Sequence, residues 1–209
     1  MKFLEVLVEG SSDVPTVREI LQRKFGLRES DHSRIHPHRG KGTLSDNSLS
    51  RPGPRHQGLL DQLPAKLRGY GKSLAGMDCL VVVLIDADDE DCKDLKTRLL
   101  RLYDELESKP PSVLFRIAVE ETESWFLADR EAMKAGFPSV RFNKIPDVAP
   151  DSIVGAWERL AEALGRKPAN CSGADKVEWA SLIAPHLQLD NARSPSLRTL
   201  INGLSKHLG

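Results

Sequence analysis

Apolar residues first gather from Phe3 to Val8, interrupted only by Glu5, and gather again without a break from Leu80 to Ile85. Short runs rich in Val, Ile and Leu predict strands, and the unbroken run fits a parallel strand buried on both faces. The first strand is expected over about Lys2–Val8. Val17, Ile20, Leu21 and Phe25 then recur at helical spacing, with Ser12 or Asp13 as N-cap, Pro15 in the first turn and Gly26 as the stop. An extended piece follows at Arg34–Pro37. Further helices are predicted over Gln57–Tyr70, with Leu59, Leu60, Leu63 and Leu67 on one side, and over Asp91–Leu106, with Leu95, Leu99, Leu102 and Leu106 as the buried edge. Val113–Val119 reads as a strand, and Glu120–Asp129 turns into a helix.

This β-α-β-α-β-α-β order predicts an α/β fold, a mostly parallel sheet flanked by helices with right-handed crossovers. After Asp129 no strand pattern returns. Ile153–Leu164, Ala174–Leu187 and Ser196–Leu208 read as helices, so residues 1–135 are expected to form the α/β domain and 136–209 a helical C-terminal extension. Between Arg39 and Pro54 the chain is rich in Gly, Ser, Pro and Arg without apolar periodicity, which predicts a long loop, mobile unless bound.

Composition narrows the picture. The 209 residues are 40% hydrophobic and 29% charged, as in an ordinary globular protein. Thirty basic and thirty acidic residues cancel, which counts against a stand-alone DNA binder held by phosphate neutralisation. The charge is unevenly spread: His32–Arg68 is basic and Asp86–Asp94 acidic. Cys79, Cys92 and Cys171 lack metal-site spacing. No apolar run approaches the ~20 residues of a membrane span, and a strand starts directly after Met1-Lys2. The expectation is a cytoplasmic protein with no membrane partner.

Two strands end in acid. The first closes on Glu9-Gly10, the second on Asp86-Ala87-Asp88. Residues i and i+2 of extended chain share a side, so Asp86 and Asp88 are expected to converge. Open α/β sheets bind ligands at the carboxyl ends of their strands. Carboxylates crowded there suggest a hard cation, Mg2+ or Mn2+. Capping fully explains Asp13, with support of the neighbouring metal ligands the lesser possibility, and a helix start explains Asp89, Glu90 and Asp91, with Glu90 a lesser ligand candidate. Glu120, Glu121 and Glu123 follow the last strand and could complete a second metal position, while Trp125 reads as core. His36 and His38 lack a third zinc ligand. Arg39 and Lys41, among flexible glycines, are candidates for phosphate contact against the plain reading of a solvated loop. Solvation equally explains Lys176 and Arg193.

Together these features resemble the TOPRIM domain of topoisomerases, primases and related nucleases. Glu9, Gly10 and Asp13 match its first motif, and Asp86 and Asp88 its Asp-x-Asp motif. The stretches Glu121-Thr122-Glu123-Ser124-Trp125-Phe126-Leu127-Ala128-Asp129 and Asn191-Ala192-Arg193-Ser194-Pro195-Ser196-Leu197 resemble later signatures of a bacterial family in that clan, with Leu197 where an aromatic is more usual. The resemblance implies a TOPRIM-like, magnesium-dependent nuclease or nuclease subunit in anti-phage defence beside an ATPase partner. It implies Glu9, Asp86 and Asp88 as catalytic and metal-binding residues and Glu121 and Glu123 as further ligands, and it singles out Lys176 and Arg193 as groups facing the cleft. Nucleic acid, DNA before RNA, is the implied substrate; self-association stays open. The alternatives are a non-catalytic metal-binding regulatory subunit of an ATPase complex and a nucleotide-processing enzyme. Tyr70 and Tyr103 sit on expected surface helices, which disfavours a topoisomerase nucleophile.

Overall fold

The computed structural model describes residues 2–45, 47 and 49–209; Asp46 and Ser48 of the expected loop lie outside the described residues. Four strands, β1 (Phe3–Val8), β2 (Ser33–Pro37), β3 (Cys79–Asp86) and β4 (Val113–Ala118), form one sheet in the order β2-β1-β3-β4. Every pairing is parallel, with Leu7 opposite Val83 and Ile85 opposite Ile117. Parallel neighbours need long crossovers. Three helices supply them: α1 (Asp13–Phe25), α2 (Leu59–Ser73) and α3 (Cys92–Asp104).

Alternation along the strands divides the core into two layers. Leu4, Val6 and Val8 of β1 and Leu80, Val82 and Leu84 of β3 face α1 and the C-terminal helices. Leu7, Val81, Val83 and Ile85 face the leucines of α2 and α3. Glu5 breaks the apolar run of β1 yet is only 5% exposed. It is compensated by His36, whose Nε2 lies 2.6 Å from its carboxylate, and by Arg34 at 3.7 Å. Burial without such partners would be costly.

After β4 the structure departs from expectation. The helix anticipated over Glu120–Asp129 is α4 (Glu123–Leu127), and a further, unanticipated helix, α5 (Arg130–Gly136), follows it. Asp129 causes the break, because its carboxylate caps Ala132 N–H and also accepts from Gln188 N–H. Helices α6 (Ala156–Ala163), α7 (Gly173–Ile183) and α8 (Pro195–Leu208) follow. They share the sheet's own core: Leu200 and Leu204 of α8 belong to the same buried cluster as Val6, Val82 and Leu84. Trp125 is buried as expected, and its Nε1 donates to Ser196 Oγ at 2.8 Å. No helix among the described residues is long and apolar enough to cross a membrane.

Candidate carboxylate site at the strand ends

The carboxyl ends of β1, β3 and β4 and the starts of α1 and α4 meet at one edge of the sheet. Asp86 ends β3 on the same side as Leu80, Val82 and Leu84, and so faces the C-terminal helices rather than α2 and α3. Glu9 follows β1, and its Oε1 accepts from Asp86 N–H at 2.8 Å, tying the two strand ends together. Asp13 is the first residue of α1 and only 4% exposed. Its carboxylate accepts from Gly10 N–H at 2.9 Å and from Thr122 Oγ1 at 2.9 Å, the latter reaching across from the turn before α4. Glu123, 4% exposed, sits at the start of α4, and Glu121 precedes it.

Backbone strain shapes the same edge. Asp88 and Glu120, both non-glycine, have φ values of 49° and 63°, conformations that L-residues adopt at a cost. Asp88 N–H donates to Glu120 O at 3.0 Å, so the two strained turns brace each other. Glu120 and Glu121 in turn accept from Gly155 and Trp157 N–H groups at the start of α6. Free N–H groups at a helix start favour such anions.

The electrostatics follow from crowding. Burial, with Asp13, Asp88 and incomplete compensation from Asp86 N–H and Lys41, pushes the Glu9 carboxyl up to about 8. Burial and then Glu123 raise Asp13 to about 6, and burial and Glu123 raise Glu121 to about 7. Asp86 is driven well above the carboxylate range by burial and then by Asp13, Glu9, Glu123 and Glu121. Asp13, Glu9, Glu121 and Glu123 each act as a repelling charge on at least one neighbour, as like charges sharing one volume do.

Lys176 of α7 is the cation beside this group, at 3.5 Å from Glu123 and 3.9 Å from Glu121, with its ammonium over the Trp157 ring at 4.7 Å. The structure thus places Lys176 beside the acids. Lys41 also reaches the edge: its Nζ donates to Ala87 O at 2.8 Å and pairs with Asp88 at 3.1 Å and Glu90 at 3.0 Å. Burial opposes its charge, but the contacts to Glu90 and Asp88 outweigh burial and raise its pKa. Residues 40–43 of the loop that carries it are hydrogen-bonded to the start of α2. Leu59 and Leu60 N–H donate to Gly40 and Lys41 carbonyls, and Asp61 accepts from Thr43 and Gly58.

Three expectations change. Asp86 and Asp88 do not point the same way, because the left-handed turn at Asp88 ends the extended geometry on which the i, i+2 argument rests. Asp88 stands at the rim, half-exposed and held by Lys41, with Glu90 serving that ion pair. Asp13 is not the N-cap of α1, a position that Ser12 fills; it belongs with the acids. Its spacing from Glu9-Gly10 was the available signal, masked because capping was a sufficient explanation. Arg193 lies away from the acids, lining a cavity against α5. Arg39 is exposed, and among the described residues its backbone N–H donates to Gln57 O while its side chain has no partner. His36 and His38 are engaged by Glu5 and by Val8 O.

Oxygen donors alone suit a hard divalent cation. Among the described residues, no three His, Cys, Asp or Glu side chains converge tightly enough to form a ready-made metal cage. The fit is one of chemistry: Asp86 has no side-chain hydrogen bond or ion pair among the described residues, and Glu9 has spent only Oε1. Asp13 is engaged at both oxygens.

A family model described as a domain of unknown function, DUF4276, matches residues 8–205. The chain belongs to this family, and the matched span includes every acid of the site. No curated protein and no solved structure matches the chain.

Proposed function

We propose that the carboxylate site binds Mg2+ or Mn2+ and hydrolyses nucleic-acid phosphodiesters, as a TOPRIM-like nuclease or the nuclease subunit of a defence complex with an ATPase. The observation that carries this reading is the convergence of Glu9, Asp13, Asp86, Glu121 and Glu123 at the strand ends, with three of them titrating at about 6 to 8. Protons held by burial first and mutual repulsion second mark a volume in which a divalent cation would relieve both.

Asp86 and Glu9 would hold the cation, with Glu121 and Glu123 next to them. When bound, it supplies Lewis-acid polarisation of a phosphoryl oxygen and neutralises developing charge. Asp13 positions the site, joining the Gly10 turn to Thr122. Glu9 has two alternative roles: as a carboxylate it completes the metal site, or, protonated into the neutral range where the cation rests on Asp86 without it, it gives its proton to a leaving oxygen. Lys176, above Trp157 and beside Glu121 and Glu123, is placed to meet a phosphate. Lys41 would exchange Asp88 and Glu90 for one.

A second reading, a regulatory subunit whose metal is structural, is favoured by that same pinning of Lys41 and by the open, uncaged arrangement of the acids. One experiment separates the two. Thermal denaturation with Mn2+ and Mg2+ should show stabilisation of the wild type, about 2.7 kcal/mol at a hundred times Kd, and none in Asp86→Asn. Single- and double-stranded DNA and RNA should be cut with Mn2+ by the wild type and not by Asp86→Asn or Glu9→Gln. Stabilisation without cutting, even in a purified native complex, selects the regulatory reading; absence of stabilisation overturns the metal site itself.

A further inference from the structure

A cavity of about 770 Å³ opens between α5, the 142–153 segment and the turn before α8, and none of the clustered acids lines it. Its volume is in the range of small-ligand sites. Three arginines line it, Arg130, Arg193 and Arg198, against a single acidic side chain, Asp147. The rest of its wall is largely apolar, including Phe142 and Ile145.

The arginines differ in how they are held. Arg198 Nη1 donates to Ala192 O at 2.8 Å and Arg193 O at 2.9 Å, which fixes its guanidinium at the cavity wall. Arg130 lays its guanidinium over the Phe142 ring, 4.8 Å from the centroid. A stacked guanidinium of this kind offers a flat second surface on which a planar ring can lie. Arg193 has no hydrogen bond or ion pair from its side chain among the described residues, and it borders an adjoining cavity of about 320 Å³ as well. Three like charges beside apolar surface, one of them without a side-chain partner among the described residues, favour an anion there.

We propose that this cavity binds a nucleotide, with its base on the Arg130–Phe142 stack and its phosphate between Arg193 and Arg198. The ligand class follows from the pairing of a flat platform with two guanidinium groups suited to bidentate phosphate contact. The shared chemistry has two sources, a free mononucleotide or the 5′-phosphorylated end of a strand. Glu123 is the acid that α4 carries and the cavity is reached at Leu127, four residues on, so roughly 6 Å of helix at 1.5 Å per residue separates them. The inference stands apart from the metal site and does not rest on it.

Calorimetry on the full chain in EDTA tests it, using AMP, GMP, inorganic phosphate and a 5′-phosphorylated dinucleotide as probes. A nucleotide should bind at least tenfold more tightly than inorganic phosphate. Arg193→Ala, at a side chain with no structural partner, should weaken it at least tenfold, and Arg130→Ala should remove the preference over phosphate. Asp86→Asn should leave binding unchanged, so a failed metal site cannot mimic a failed cavity. Tighter binding of the dinucleotide than of AMP assigns the cavity to strand ends, and the reverse to free nucleotides. Equal affinity for phosphate and nucleotides, unaltered binding in folded Arg193→Ala, or no binding by any probe overturns the proposal.

Discussion

At the scale of single residues, the acids make pH a sensitive variable. In the folded chain Glu9 titrates at about 8, Glu121 at about 7 and Asp13 at about 6, whereas unfolded carboxylates titrate near about 4. Between those limits the folded chain holds protons that the unfolded chain has released. Stability from these groups is therefore fully present below about pH 4 and is lost as pH rises through the folded values, up to about pH 8. In EDTA, the melting temperature should fall by several degrees between about pH 5 and about pH 8.5, and Glu9→Gln should flatten the fall. Mg2+ should restore stability at the upper end by replacing the protons. A melting temperature independent of pH in EDTA would show that the acids are not crowded. Residues differ in how far the sequence reveals them. Glu9 and Asp86 were legible because a buried strand fixes where its terminal acid lies. Asp88 was not, because its left-handed φ is set by its bond to Glu120, more than thirty residues away.

At the scale of elements, the clasp between the basic loop and α2 decides where Lys41 can go. A Cβ on Gly58 would come within 2.5 Å of Gly42 Cα and N, backbone atoms that cannot swing aside. Gly58→Ala should thus push residues 40–43 off α2 and cost about 1–3 kcal/mol. It should also weaken the hold of Asp88 and Glu90 on Lys41, visible as a lower ammonium pKa by NMR. Gly69→Ala, in the same helix with no atom within 4 Å of its new Cβ, should instead stabilise by about 1 kcal/mol. Equal effects from the two substitutions would mean that the contact between Gly58 and Gly42 is absent in solution. The sequence showed a Gly-rich basic loop but not this clasp, which needs two glycines sixteen positions apart to meet. Hydrophobic patterning placed β1, β3, β4 and α1 to α3 well, because each presents a buried face. It missed α5, whose start is set by Asp129 bonding to distant Gln188 as well as to its own first turn.

At the scale of the whole molecule, the helices after residue 136 complete the structure that holds the acids. One face of β1 and β3 is covered by α1 together with α8, through Leu200 and Leu204. Arg23 of α1 is anchored by the carbonyls of Ala184 and Leu187 at 3.0 and 2.9 Å. Glu120 and Glu121 are held by the start of α6, and Lys176 of α7 offsets part of the site's charge. Each buried leucine lost would withdraw about 1.5–3 kcal/mol, a large share of the 5–15 kcal/mol that stabilises a typical domain. A fragment of residues 1–135 should therefore lack a cooperative thermal transition, bind hydrophobic dyes and lose any cation-dependent stabilisation. The full chain should unfold in one transition that is the same by circular dichroism and by tryptophan fluorescence, since Trp125, Trp157 and Trp179 all report on the shared core and its edge. Two separated transitions, or a fragment that folds cooperatively and still responds to Mn2+, would show that the sheet and its acids stand without the helical part. The opposite result makes the helices part of the site.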